Sequence, residues 1–163
     1  MDRPQVAGLA SPSRYSFGST AAIVTSVGLI AGFGAASVPR SAVVSGLLII
    51  AVADNISDSL SIHIYQESEN LEARVALRAT LTNFAARFLV VLSFVGIVIT
   101  FPGRAAQAVA TAWGMLLLGG LIYFLSRLRQ VRPWREITKH LLVAVVVVAV
   151  SRVLGGWIAA HVS

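Results

Sequence analysis

The sequence predicts an all-α membrane protein, a bundle of five transmembrane helices, from its composition and from its pattern of apolar segments. Its 163 residues are 56% hydrophobic and 12% charged, with a mean hydropathy of +0.80, whereas a soluble domain is about 25% charged. A bilayer core about 30 Å thick needs about 20 apolar residues of helix, and five stretches of that kind alternate with polar connections. A soluble chain this short has no core large enough to bury so much apolar surface.

Prolines and charged connections set the limits of the five predicted helices. Pro39 follows the first span and Pro102 follows the third, and longer polar connections stand at residues 66–79 and 127–139. Residues 1–19, which are polar and include two prolines, are predicted to form a loose N-terminal segment. The rest, 20–163, is predicted to be one transmembrane domain with helices at residues 20–38, 41–65, 80–101, 105–126 and 140–160.

The basic residues predict the orientation of the bundle. Basic residues concentrate in cytoplasmic loops of membrane proteins. With the N-terminus inside, nine of them fall on the inside and two on the outside, so the N-terminus is predicted cytoplasmic and the C-terminus outside. The inside residues are Arg3, Arg14, Arg74, Arg78, Arg127, Arg129, Arg132, Arg135 and Lys139, and the outside residues are Arg40 and Arg104.

Composition also excludes several classes of function. The chain has no cysteine, so disulfides and thiolate metal sites are excluded. A net charge of +6 would suggest nucleic acid in a soluble chain, but here the basic residues lie between apolar segments and act as topology signals. No metalloprotease, hydrolase, P-loop or dinucleotide motif is present, so neither an enzyme nor a cofactor is expected. The expected location is a prokaryotic cytoplasmic membrane, with the lipid bilayer as a partner and no nucleic acid.

The second predicted span carries the polar residues that a function would use. Asp54 and Asp58 are four residues apart and therefore lie on one face of a helix. Asn55 stands beside Asp54, and His63 follows toward the predicted cytoplasmic end. A carboxylate at mid-membrane costs at least a few kcal/mol. Carboxylate, amide and imidazole groups suit a divalent metal such as iron or manganese, and neighbouring carboxylates also favour proton uptake, so these four residues predict a metal or proton path.

Charge pairing is the alternative interpretation of the same residues. With a rise of about 1.5 Å per residue, Asp58 and Arg87 lie about 12 and 11 Å inside the cytoplasmic ends of their helices. Asp54 and Arg152 both lie about 18 Å inside by the same count. Buried membrane charges are normally paired, so Arg87 and Arg152 are predicted charge partners of Asp58 and Asp54.

Two further features of the sequence each have two interpretations. Glu67, Glu69 and Glu72 follow the second span and form either an acidic mouth that collects cations or a solvated helix face paired with nearby arginines. Three small residues of the first span, Gly28, Gly32 and Ala36, are four positions apart and allow close helix contact. That contact is either packing inside the bundle, a dimer seam or the wall of a substrate path.

Two segments resemble the vacuolar iron transporter family. AIVTSVGLIAGFGAAS in the first span is similar to the first helix of that family, and GLLIIAVADNISDSLSIHIYQESE is similar to the second. The resemblance implies a five-helix fold, a homodimer, and export of divalent iron or manganese in exchange for protons. Three departures stand beside it. Ala21-Ala22 occupies the place of an Asp-Gly pair, Asp58 and Ile62 replace a methionine and a glutamate, and residues 66–79 replace a long glutamate-rich region.

Two functional hypotheses follow from the sequence. In the first, the protein is a membrane transporter of divalent metal, iron or manganese, with or without coupling to protons. In the second, it is a non-transporting scaffold or partner subunit whose intramembrane Asp/Arg pairs are structural.

Overall fold

The computed structural model describes residues 12–68 and 73–162 and is helical through almost all of them. The first helix, α1, spans Pro12–Ala35. The second span consists of α2, Arg40–Ile49, a π-helical turn at Ile50–Asp54, and α3, Asn55–Ser68. Three long helices follow, which are α4, Ala73–Thr100, α5, Gly103–Leu128, and α6, Pro133–His161.

The five predicted spans are confirmed. Within the described ranges, five helical stretches are long and apolar enough to cross a membrane, and α2, the π turn and α3 together form the second of them. Two helices, α1 and α6, begin earlier in the chain than predicted, so both extend further at the end of the bundle where the N-terminus lies. α1 begins at Pro12, inside the segment predicted to be loose, and α6 begins at Pro133 rather than at His140. Proline is well suited to the first turn of a helix because that turn needs no amide donor there.

The alternating direction of the spans defines two ends of the bundle. The α3–α4 end also holds the start of α1 and the α5–α6 turn, and the α1–α2 end also holds the α4–α5 turn and the end of α6. At the α1–α2 end, Arg40 donates hydrogen bonds to the carbonyl oxygens of Ile99 (3.3 Å) and Phe101 (3.5 Å). Carbonyls at the C-terminal end of a helix lack partners within it, and through these bonds Arg40 ties the start of α2 to the end of α4.

α1 occupies the centre of the bundle and packs against α2, α4, α5 and α6. Its buried residues meet the most deeply buried side chains of the other helices, among them Leu47, Phe94 and Leu118. α6 packs on α1 and α5, and α3 packs on α4. The outer faces of the peripheral helices, above all α6, are apolar and exposed, as expected for helices that meet lipid.

Glycines bring α1 and α6 together. A Cβ atom at Gly155 would overlap the backbone carbonyl oxygen of Gly32, and one at Gly28 would lie 3.0 Å from the Val147 side chain. Helix backbones approach this closely only where small residues face each other. The small-residue face of the first span therefore serves packing inside the bundle, at least at Gly28 and Gly32.

The π turn in the second span keeps one face of that span against the bundle. Its buried residues recur at every fourth position, at Val43, Leu47, Ala51, Asn55 and Ser59. A four-residue step exceeds the 3.6 residues of an α-helical turn, so the buried row would drift around a purely α-helical span. The wider π turn at Ile50–Asp54 corrects this drift, and Asn55 and Ser59 consequently still face inward.

The glycine contact predicts a difference between two neighbouring positions of α6. Gly155→Ala should destabilise the bundle by about 1–3 kcal/mol, since the added methyl group must displace the α1 backbone. Gly156→Ala is the matched control because its Cβ would meet open space, and the two variants gain similar helix propensity. Unfolding in mixed micelles measures both. Equal stability of the two variants would contradict the close contact between α1 and α6.

Candidate charge cluster and polar seam

One arginine of α4 joins both aspartates of the second span. The Arg87 guanidinium donates through Nη2 to Oδ2 of Asp54 at 2.7 Å and through Nη1 to Oδ2 of Asp58. The Arg87 side chain is only 3% exposed, whereas those of Asp54 and Asp58 are 47% and 41% exposed. These three residues, called the charge cluster below, place a buried cation behind two half-exposed anions.

The predicted pairing is therefore half right. Asp58 pairs with Arg87 as expected, but Asp54 pairs with Arg87 as well and not with Arg152. Arg152 is exposed and makes no ion pair or side-chain hydrogen bond with any residue that the structure describes.

The packing of α6 explains why Arg152 does not reach Asp54. Its neighbour Ser151 contacts α1 at Gly32, while Arg87 contacts α1 at Gly18. At about 1.5 Å per residue, these two levels are about 20 Å apart along α1. α6 extends back to Pro133, so Arg152 lies farther from the α3–α4 end than its distance from His140 predicts. Arg152 lies near the α1–α2 end, where a long side chain can extend to the lipid headgroups.

The charge cluster lies in the half of the bundle nearer the α3–α4 end. Gly18, which meets the Arg87 side chain, is the first residue of the first apolar span, Gly18–Ala35. Asp58 and Arg87 each lie seven residues, about 11 Å, inside that end of the spans Arg40–Tyr65 and Thr80–Thr100. The carboxylates are thus within the apolar spans, where a charge is costly unless it is paired.

Polar residues continue from the charge cluster toward the α3–α4 end. They recur every three or four positions on the facing sides of α3 and α4, so each set forms one stripe. α3 and α4 run antiparallel, and Asp58 meets Arg87, so Ser59 lies level with the turn that contains Asn83. We call these residues the polar seam: Asn55, Ser59 and His63 on α3, and Thr80, Asn83 and Arg87 on α4.

Burial increases along the polar seam. His63 and Thr80 are partly exposed near the α3–α4 end, whereas Ser59, Asn83 and Asn55 are buried. Asn55 donates from Nδ2 to the Phe84 carbonyl oxygen at 2.9 Å, which fixes the α3–α4 register. A Cβ atom at Gly18 would overlap Asn83 Oδ1, so α1 closes the seam from the third side.

Four buried atoms of the polar seam have no hydrogen-bond partner among the described residues. They are Asn55 Oδ1, Ser59 Oγ, and Oδ1 and Nδ2 of Asn83. A buried polar atom without a hydrogen bond costs about 1–3 kcal/mol, and more than 90% of buried backbone groups are paired in proteins. Such a concentration of unpaired atoms in one place indicates a site that water or a ligand completes.

The other predicted site residues fall in different places. Asn55 is next to the charge cluster, and His63 lies two turns nearer the α3–α4 end. Of the predicted acidic mouth, Glu69 and Glu72 lie outside the described residues, and Glu67 lies in α3 with a side chain that is not described. Within residues 12–68 and 73–162, no three His, Cys, Asp or Glu side chains come together as a metal site.

Asn83 and Thr80 were not among the predicted site residues. The available signal was the spacing of Asn83, four residues before Arg87, in a helix that is otherwise largely apolar. Two polar residues on one face of a membrane helix point to a polar surface. Assigning that surface to α3 also required the register of the two helices, which a single sequence does not supply.

Comparison with known proteins gives no match. No family model matches the chain, and neither a curated protein nor a solved structure matches it. The resemblance to the vacuolar iron transporter family therefore rests on the residues of the first two spans alone.

The charge cluster predicts that two arginines of the membrane spans differ in their effect on stability. Arg87→Met should lower the free energy of unfolding by about 3 kcal/mol, because it leaves two anions without their cation. Arg152→Met is the control, since Arg152 is exposed and makes no pair with the described residues, and it should change stability little. Unfolding in mixed micelles gives both values, and equal losses would contradict the assignment.

Removing the whole cluster tests whether its members are coupled. The triple variant Asp54→Asn, Asp58→Asn, Arg87→Met should recover most of the stability that Arg87→Met alone loses, because no charge is then unbalanced. Such non-additivity is the signature of interacting residues. A triple variant less stable than Arg87→Met would show that the three charges act independently.

Proposed function

We propose that the protein is a membrane transporter of divalent metal cations, iron or manganese first, in which Asp54 and Asp58 bind the cation and exchange it for protons. The observation that carries this proposal is the charge of the cluster. Two carboxylates share one guanidinium, so with both ionised the cluster carries a net charge of −1 inside a membrane span. An uncompensated charge there is costly, and binding a cation or a proton removes it.

The geometry leaves ligand atoms for a cation. Both ion pairs with Arg87 use Oδ2, and Oδ1 of Asp54 and of Asp58 makes no hydrogen bond with the described residues. Carboxylate oxygens suit manganese, and an imidazole such as that of His63 also suits iron. A metal ion would bind these oxygens in competition with Arg87, and its own positive charge would favour release of the guanidinium.

The proposal includes a homodimer in a prokaryotic cytoplasmic membrane, with the N-terminus in the cytoplasm. The half-exposed carboxylates support a partner at this surface, since a single chain would present them to lipid or headgroups. The basic residues around the α5–α6 turn support the orientation, because they fall at the α3–α4 end with the N-terminus. Metal would then enter the charge cluster from the cytoplasmic side.

A second candidate function is a non-transporting membrane scaffold or partner subunit. The observation that favours it is the bridge that Arg87 makes between Asp54 and Asp58, which fastens α3 to α4. Charged residues inside membrane bundles also pair for purely structural reasons. Under this function the aspartates affect assembly of the bundle and no cation crosses the membrane.

Metal flux into proteoliposomes separates the two functions. We expect uptake of iron(II) or manganese(II), with zinc(II) as a third test ion, and a loss of about 10- to 100-fold in Asp58→Asn and in Asp54→Asn, as is typical when a metal-site residue is altered. Glu136→Gln is the matched control, because this acid belongs to α6, pairs with Lys139 at 2.9 Å and lies outside the charge cluster.

Two outcomes would contradict the transporter. Undiminished flux in both aspartate variants would remove the metal site from the charge cluster. Absence of flux for all three ions, from a wild-type protein that is folded and inserted, would favour the scaffold.

A further inference from the structure

The polar seam is buried, but its polar atoms favour the presence of water. Four of its buried nitrogen and oxygen atoms have no hydrogen-bond partner within residues 12–68 and 73–162, and they belong to three residues that lie within one or two helical turns of Arg87. They include both donors and acceptors, since an asparagine amide and a serine hydroxyl each do both. Water is the ligand that satisfies such a mixed set, because one molecule donates two hydrogen bonds and accepts two.

The seam also has an end at which water can enter. His63 and Thr80 are partly exposed, and Ser59 and Asn83 come next along α3 and α4. Toward the α1–α2 end, by contrast, the α2–α4 interface continues in apolar residues, among them Ala51, Leu47 and Val91. Among the residues that the structure describes, the seam therefore opens toward the α3–α4 end.

We propose that water enters the polar seam from the α3–α4 end and occupies it as far as Arg87, where it satisfies the unpartnered atoms of Asn55, Ser59 and Asn83. The hydration follows from the seam itself and does not rest on the proposed transport function. In a transporter, this water would connect the α3–α4 end with the charge cluster.

The absence of cysteine makes the hydration directly testable. In Ser59→Cys the single thiol would stand in the seam, and silver(I) reports on it because this small cation binds thiolates and does not enter hydrocarbon. Ser26→Cys is the control: Ser26 is also buried, at 0% exposed against 7% for Ser59, and its hydroxyl also has no hydrogen-bond partner among the described residues, but Ala22 and Ile30 of the apolar core lie one turn away on either side. Thiols that remain free are alkylated after denaturation and counted by mass spectrometry.

We expect Ser59→Cys to react with silver(I) at least about a hundredfold faster than Ser26→Cys, since thiols in apolar surroundings are inert. The reaction should occur from the side that labels Thr138→Cys, at the α3–α4 end, and not from the side that labels Thr100→Cys. Asn83→Cys gives a second position if Ser59→Cys does not fold. Equal inertness of the seam thiols and Ser26→Cys, or reaction from the Thr100 side, would overturn the proposal.

The silver(I) measurement does not require iron or manganese flux. A hydrated seam in a protein that moves no metal would refute the proposed function alone, whereas metal flux with an inert seam would refute only the hydration.

Discussion

A guanidinium buried within a membrane protein must find its counter-charges within hydrogen-bond reach, and much of the second span serves that requirement. Arg87 is covered by α1, α3 and α4, and desolvation lowers the stability of its charged form. Two aspartates one helical turn apart supply the anions. Gly18 leaves the room that the Arg87 and Asn83 side chains occupy, so a glycine in α1 is as necessary as the carboxylates of α3.

The same arrangement divides the bundle into two halves of different chemistry. Toward the α1–α2 end, α1 meets its neighbours mainly through apolar side chains and glycines, with the Gln107 side chain against Gly34, and the contact of Gly32 with Gly155 leaves no space for water between those two residues. Toward the α3–α4 end, polar groups enter the α3–α4 interface up to Arg87. The apolar half supplies rigidity, and the polar half supplies groups whose interactions can change with protonation or with a bound cation. A transporter needs both properties, while a scaffold needs only the first.

The number, order and approximate limits of the spans could be predicted from the sequence, because membrane thickness translates directly into apolar length. The pairing of Asp58 with Arg87 was also predictable, since both depths were counted from ends that lie near each other. The pairing of Asp54 was not. It depended on the start of α6 at Pro133 and on the glycine contact between α1 and α6, and neither is visible as a local pattern. The role of Asn83 is not visible in the sequence because it depends on the packing of α4 against α3, and the register of the two helices is not a local pattern.

The π turn has a consequence for how this span can be compared with others. A π turn holds one residue more than an α-helical turn, so loss of one residue between Ile50 and Asp54 would give a regular α-helix in which the following residues keep their direction. Conversion of the turn to α-helical geometry without that loss would instead rotate everything after it by about 100° and move both carboxylates away from Arg87. An alignment with a related span that lacks the turn should be shifted by one position after Asp54, so that residues of equal direction, and not of equal number, are compared.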